Sequence, residues 1–225
     1  MKTENIPFAA LNIHAADIEK VMGFEPGNAP APFSGLIETG ISIAGKISEI
    51  TGGYKIFRNV SINETESTVS VDQQVFNTGT TITPQLNHAT GIAVHLCTAG
   101  SGFSGYLSGS SLEDNDLLPY IIDLIGSVTV KKASEYILKI LRSEALKSNL
   151  GTTTTFSPGF SSWDISEQQK LFMLLPPRFC NITLSESHLM HPVKSVSGIT
   201  GIGTDCKNIG NQCDWCNNNN CYLSN

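Results

Sequence analysis

Thr152-Thr-Thr-Thr-Phe-Ser-Pro-Gly-Phe-Ser-Ser-Trp163 opens the stretch on which the reading of this chain turns. It continues as Asp164-Ile-Ser-Glu-Gln-Gln-Lys-Leu-Phe-Met-Leu-Leu175 and breaks at Pro176-Pro177. It ends as Ile182-Thr-Leu-Ser-Glu186-Ser-His-Leu-Met190-His-Pro192-Val-Lys-Ser-Val-Ser-Gly-Ile-Thr-Gly-Ile-Gly203. Asp164 and Glu167 have the D-x-x-E spacing of a capping box for a helix over 165–175, which the two prolines stop. Residues 182–184 and 195–199 alternate as short strands. Ser, Thr and Gly crowd the turns, where backbone comes close to a ligand or partner. The pattern is that of a binding surface built from main chain, with the rest of the chain as its scaffold.

Upstream, the periodicity predicts a short helix over 13–23, a Pro/Gly/Ala connector over 26–32 and a helix over 34–50 that Gly52-Gly53 ends. Strands are expected over 54–60 and 68–71, and 74–82 is less regular. Thr83-Pro84 reads as an N-cap and first helical residue for a turn over 85–88. The run Gly91-Ile-Ala-Val-His-Leu-Cys97 is the best candidate for a central strand, ended by a small-residue turn over 98–102. Residues 116–147 form the longest helix, about 45 Å if unbroken. Gly126-Ser127 lies within its apolar stripe and marks a close approach by another element.

The chain has 225 residues, enough to bury a sizeable core. Charged residues make up 15% and the net charge is −6 with no run of Lys or Arg, which argues against nucleic acid as a partner. No apolar stretch is long enough to span a bilayer, and the first residues lack a signal-peptide core, so a cytoplasmic protein without membrane contact is expected. The composition divides the chain into residues 1–203, of which 91–203 bear the motifs and 1–90 bear none, and a Cys/Asn-rich tail over 204–225. In that tail Cys206, Cys213, Cys216 and Cys221 have spacing suited to zinc or an iron–sulfur cluster, with free thiols or disulfides as the other reading. His95 reads as a sheet residue rather than a ligand.

Four stretches carry a resemblance to the activation domain of cobalamin-dependent methionine synthase. They are Leu96-Cys-Thr-Ala-Gly100, Asp123-Leu-Ile-Gly-Ser127, Ser157-Pro-Gly-Phe160 with Trp163 and Gln168, and Leu184-Ser-Glu-Ser with Met190-His-Pro-Val-Lys-Ser-Val-Ser-Gly198. The resemblance implies an α+β fold, a twisted antiparallel β-sheet flanked by helices. It implies an accessory role in which the domain docks on the corrin of a cobalamin-carrying methyltransferase or corrinoid protein. Reductive remethylation there uses S-adenosylmethionine and an electron from a flavodoxin-type reductant. The family's Arg-x-x-x-Gly-Tyr motif for S-adenosylmethionine falls on Thr155, Gly159 and Phe160, so the Arg and the Tyr hydroxyl are replaced, and the Pro158-Gly159 turn is left to offer backbone amides. No carboxylate is expected around Ser127 or Lys131-Lys132 to match the family's acidic helix residue. Ser157, Glu186, His191, Lys194 and Ser195 complete the expected cofactor-facing set, with Glu186 and Ser187 alternatively capping a turn. Two other roles stay open: an electron-transfer activator whose tail cysteines hold iron–sulfur or zinc, and a non-catalytic interaction module.

Overall fold

A computed structural model describes residues 1–109 and 117–210. A five-stranded antiparallel sheet forms the middle layer, in the order β1 (Lys2–Asn5), β2 (Thr51–Phe57), β6 (Gly91–Thr98), β10 (Ser195–Gly203), β7 (Gly151–Phe156). β6 is the central strand, as its apolar run predicts, and every one of its residues is buried. Its odd-numbered residues Ala93, His95 and Cys97 face one layer, and Ile92, Val94 and Leu96 face the other.

The first layer is helical: α1 (Ala15–Val21), α2 (Phe33–Ile47), α4 (Gly102–Gly109) and the long α5 (Leu117–Leu146). Ile121, Ile125, Ile137 and Leu141 of α5 are fully or almost fully buried in the cluster they form with Ile37, Ala44, Ala93 and Cys97. The second layer holds the small sheet β3 (Val60–Asn63), β4 (Thr68–Val71), β5 (Gln74–Asn77), the helices α3 (Gly79–Leu86) and α6 (Gln168–Met173), and the hairpin β8 (Thr183–Leu184)–β9 (Met190–His191). Its core joins Val69, Phe76, Leu86 and Leu171 to Val94, Leu96, Phe156 and Ile199 of the main sheet. Trp163 anchors it, edge-on to Phe76 at 5.8 Å. At roughly 25 cal/mol per Å² of apolar surface, these two clusters supply the dominant favourable contribution to folding. The α+β class, with an antiparallel sheet flanked by helices, is as expected.

Several boundaries differ from expectation for identifiable reasons. Gly52 and Gly53 do not end α2; they lie in β2, where a Cβ on Gly52 would stand 2.7 Å from Ile137 and 2.8 Å from the Cys97 sulfur. The expected strand over 54–60 is two strands, because β2 pairs with β6 in the main sheet up to Phe57 and β3 begins at Val60 in the small sheet, paired with β4. Thr83 is no N-cap: α3 already begins at Gly79, and the Thr83 hydroxyl donates to the Gly79 carbonyl. The helix over 165–175 is a 3-10 turn over Ile165–Glu167 followed by α6. Asp164 does accept from the Ser166 amide, but the Glu167 carboxylate accepts from the Asn77 amide and pairs with Lys170 instead of closing a capping box. The strand expected over 195–199 runs on to Gly203, which creates the pairing with β7.

Beyond residue 203 the chain stays close to the sheet. After β10 the chain turns, with the Cys206 amide donating to the Gly203 carbonyl, and runs beside β7. A Cβ on Gly151 would stand 2.2 Å from the Cys206 carbonyl oxygen, so only glycine allows this approach. The Thr154 hydroxyl accepts from the Ile209 amide at 3.1 Å and lies 2.9 Å from the Gly210 carbonyl. Residues 204–210 therefore lie alongside β7, held at the Thr154 hydroxyl.

Candidate functional site

The first residues of β10 are where the four sequence stretches meet. Ser195 stands opposite Thr98, and Gly198 opposite His95, in the β10–β6 pairing. Just before the strand, the Lys194 carbonyl accepts from the Ala99 amide at 2.8 Å and from the Thr98 hydroxyl at 3.2 Å, which joins the Leu96–Gly100 stretch to it. The Lys194 side chain turns to α5. Its ammonium pairs with Asp123 at 2.8 Å and donates to Ser127 at 2.9 Å, which joins the second stretch. Gly126 makes room: a Cβ there would meet Phe103 at 2.9 Å and the Lys194 stem at 3.2 Å. The close approach expected at Gly126 is thus made by α4 and Lys194. The α5 carboxylate that sequence reasoning missed is Asp123, one turn before Ser127, and it is already neutralised within the chain.

The third stretch joins through hydroxyls. The Ser157 hydroxyl donates to the Ser197 carbonyl at 2.7 Å. The Ser197 hydroxyl donates to the side-chain oxygen of Gln168 at 3.2 Å, and the Gln168 amide donates to the His188 carbonyl at 3.1 Å. Gln168 and Ser197 are buried, so this relay fixes the Ser157–Trp163 turn, α6 and the 185–189 turn relative to β10. Pro158 is buried beneath that turn and Gly159 is exposed at its tip with φ +90°, a conformation that favours glycine. Phe160 is half-buried. The turn is closed from inside: the Gly159 amide donates to Trp163, Phe160 to Ser157, and Trp163 to Phe160.

The fourth stretch forms the β8–β9 hairpin. Ser185 holds its turn: its amide donates to the Leu189 carbonyl, and its hydroxyl accepts from the Leu189 amide. That is the role sequence reasoning gave to Glu186 and Ser187; Glu186 is exposed at the turn's tip. His191 is exposed on β9, and the Ser195 hydroxyl donates back to the Pro192 carbonyl at 2.6 Å. Ile165, Leu189 and Val193 are exposed beside these turns.

Thr155 lies on β7 opposite Thr200, and their hydroxyls share a hydrogen bond at 2.8 Å. His95 is a sheet residue, as expected. Its Nε2 stands 3.4 Å from the Ser134 hydroxyl of α5, and burial pushes its pKa down to about 4, so the ring is neutral. Cys206 is buried, and burial, with Asp205 beside it, raises its thiol pKa. Cys213, Cys216 and Cys221 lie outside the described residues. Among the described residues no group of His, Cys, Asp and Glu is clustered to hold a metal, and no helix is long and apolar enough to cross a membrane.

Layer order and topology place the chain among α+β proteins with a central antiparallel sheet flanked by helices. Within that class, it has the fold of a solved structure described as the MetH reactivation domain bound to AdoHcy: the TM-score is 0.65, over 92% of this chain and 79% of that one, at 13% sequence identity. No protein-family model matches the chain, and no curated protein matches it either.

The residues at the matched turn do not fit S-adenosylmethionine held in the manner the resemblance implies. The guanidinium is absent, the amides of Gly159 and Phe160 are spent inside the turn, and the hydroxyls of Thr155 and Ser157 are already bonded to β10. A carboxylate brought to this turn finds neither a cation nor these donors.

Proposed function

We propose that this chain is an accessory domain of a cobalamin-dependent methyltransferase system, which docks on the corrin face of a cobalamin-carrying protein. The observation that carries this reading is the convergence of all four family-like stretches on the start of β10. That convergence sets the Ser157–Trp163 turn, the hairpin and the Lys194–Gly198 segment side by side. Ser157, Pro158, Gly159, Phe160, Glu186, His191, Lys194 and Ser195 belong to this surface or its rim.

The surface is nearly free of unpaired charge, because Lys194 is held by Asp123. Exposed Ile165, Leu189 and Val193 adjoin it. A flat macrocycle with an apolar face and an amide fringe suits such a surface better than a charged metabolite does, since no ion has to be stripped of water unpaired. The chain's own part is to bind and orient. Reduction and methyl transfer are chemistry of the cobalt, of a flavodoxin-type reductant and of a methyl donor held elsewhere than at the Pro158–Gly159 turn.

Preference for the inactive cob(II) form requires contacts that differ between the carrier's two states. Calorimetry with the carrier in the cob(II) and methylated forms tests the proposal. Tighter binding of the cob(II) form is expected; equal affinity for both, or none for either, overturns it.

A further inference from the structure

Adjoining that surface, at the same end of the main sheet, an open cavity of about 610 Å³ is lined by Asn5, Glu49, Thr51, Thr98, Ser101 and Asn181. Its floor follows a cross-strand row: Asn5 stands opposite Thr51 and Thr51 opposite Thr98, and Ser195, opposite Thr98, continues the row beyond the cavity. Directly opposed residues in antiparallel strands share a face, so four polar side chains from four neighbouring strands stand in line. Pro192 closes the side towards the hairpin.

The walls are fixed. The Thr51 hydroxyl donates to the Cys180 carbonyl, and Arg178, Cys180 and Asn181 all hold positive φ. Such a run of left-handed residues needs the surrounding structure to impose it. Opposite, the Glu49 amide donates to the Ala99 carbonyl, and a Cβ on Gly100 would stand 2.7 Å from the Glu49 nitrogen. The Thr98 hydroxyl is spent on the Lys194 carbonyl and the Gly100 amide. The side chains of Asn5, Glu49, Ser101 and Asn181 make no hydrogen bond among the described residues.

The unspent groups are thus two carboxamides, a hydroxyl and one carboxylate, and none of the described lining residues is Lys, Arg or His. This set takes hydrogen-bond donors and uncharged amides and repels anions. We infer that the cavity is a subsite for a primary carboxamide side arm of the corrin ring, its N–H groups donated to Glu49 and its carbonyl accepting from an Asn carboxamide. The inference rests on the corrin-docking reading and gives it a polar anchor outside the planar face.

The test uses the full chain with two free corrinoids, cob(II)inamide, whose side arms are carboxamides, and cobyrinic acid, whose side arms are carboxylates. Wild type is expected to bind the amide form about tenfold more tightly or better, the discrimination expected of a hydrogen-bonded polar group against a repelled charge. Glu49→Lys is expected to reverse the order, weakening cob(II)inamide and strengthening cobyrinic acid, an exchange that loss of folding does not produce. Equal affinity of wild type for the two corrinoids, or a Glu49→Lys variant with unchanged preference, overturns the subsite and leaves corrin docking standing. If neither corrinoid binds and the loaded carrier does not bind either, the docking reading itself falls, and the subsite with it.

Discussion

At the level of single residues, His95 and Lys194 show how this fold handles polar groups near the proposed docking surface. His95 is 1% exposed between α5 and the sheet, and its pKa falls from 6.5 to about 4 on burial. The unfolded chain therefore takes up a proton between pH 6.5 and pH 4 that the folded chain refuses. Stability from this residue is complete above pH 6.5 and is lost as the pH falls towards 4, by up to about 3 kcal/mol. Urea unfolding across that range checks it, with His95→Gln expected to flatten the slope relative to wild type. Lys194 is the opposite case, a cation whose side chain is only 14% exposed yet whose charge is met at 2.8 Å. Lys194→Met keeps the apolar stem and leaves the Asp123 carboxylate without its cation, while the Ser127 hydroxyl keeps its bond to the Asp123 carbonyl. The expected cost is about 1–2 kcal/mol by thermal or chemical denaturation. Carrier binding should also weaken, because a free carboxylate then faces the docking surface. A variant with full stability and unchanged affinity would show that the pair matters to neither.

At the level of elements, the edge of β7 is the place where sequence and structure part most. The long helix, the central strand and the Ser195 strand were legible because burial writes a period of 3.6 or an apolar run into the residues. β1 and β7 were not: each lies at an edge of the sheet, and Lys2-Thr-Glu-Asn5 and the Thr152–Thr155 run show no such contrast. The segment over 204–210 looked like tail for the same reason, since what ties it down is main chain and one threonine hydroxyl rather than apolar side chains. Two truncations separate the readings. A chain ending at Gly210 should unfold like the full-length protein. A chain ending at Gly203 loses the segment that lies alongside β7 and its hydrogen bonds to the Thr154 hydroxyl, and should be less stable and prone to self-associate at this edge strand. Light scattering and thermal unfolding of the two would decide. Identical behaviour would return residues 204–210 to the tail.

For the molecule as a whole, the motifs located the candidate surface but not its chemistry. The four stretches were legible as separate strings of Gly, Ser and Pro because turns and close approaches demand those residues. What the strings could not reveal is that their donors are spent on one another, Ser157 on β10 and Lys194 on α5, since such pairings join residues far apart in sequence. That internal neutralisation has a measurable consequence. The protein carries a net charge of −6, yet the proposed docking surface presents one cation that is already paired, and its only exposed carboxylate among the residues assigned to it is Glu186 at the rim. Association driven by opposite charges weakens steeply with salt, whereas burial of an uncharged, partly apolar surface does not. Binding of the cob(II) carrier should therefore change by less than about threefold as ionic strength rises from low to physiological values. Its heat-capacity change should be negative, the mark of apolar burial. Glu186→Gln should leave affinity nearly intact and act mainly on the association rate, as rim charges do. Calorimetry over a salt series measures the first two quantities and stopped-flow mixing the third. A tenfold loss of affinity over that salt range, or a loss of affinity in Glu186→Gln that appears as faster dissociation, would place charge at the centre of the interface and remove the neutral surface around β10 from the docking site.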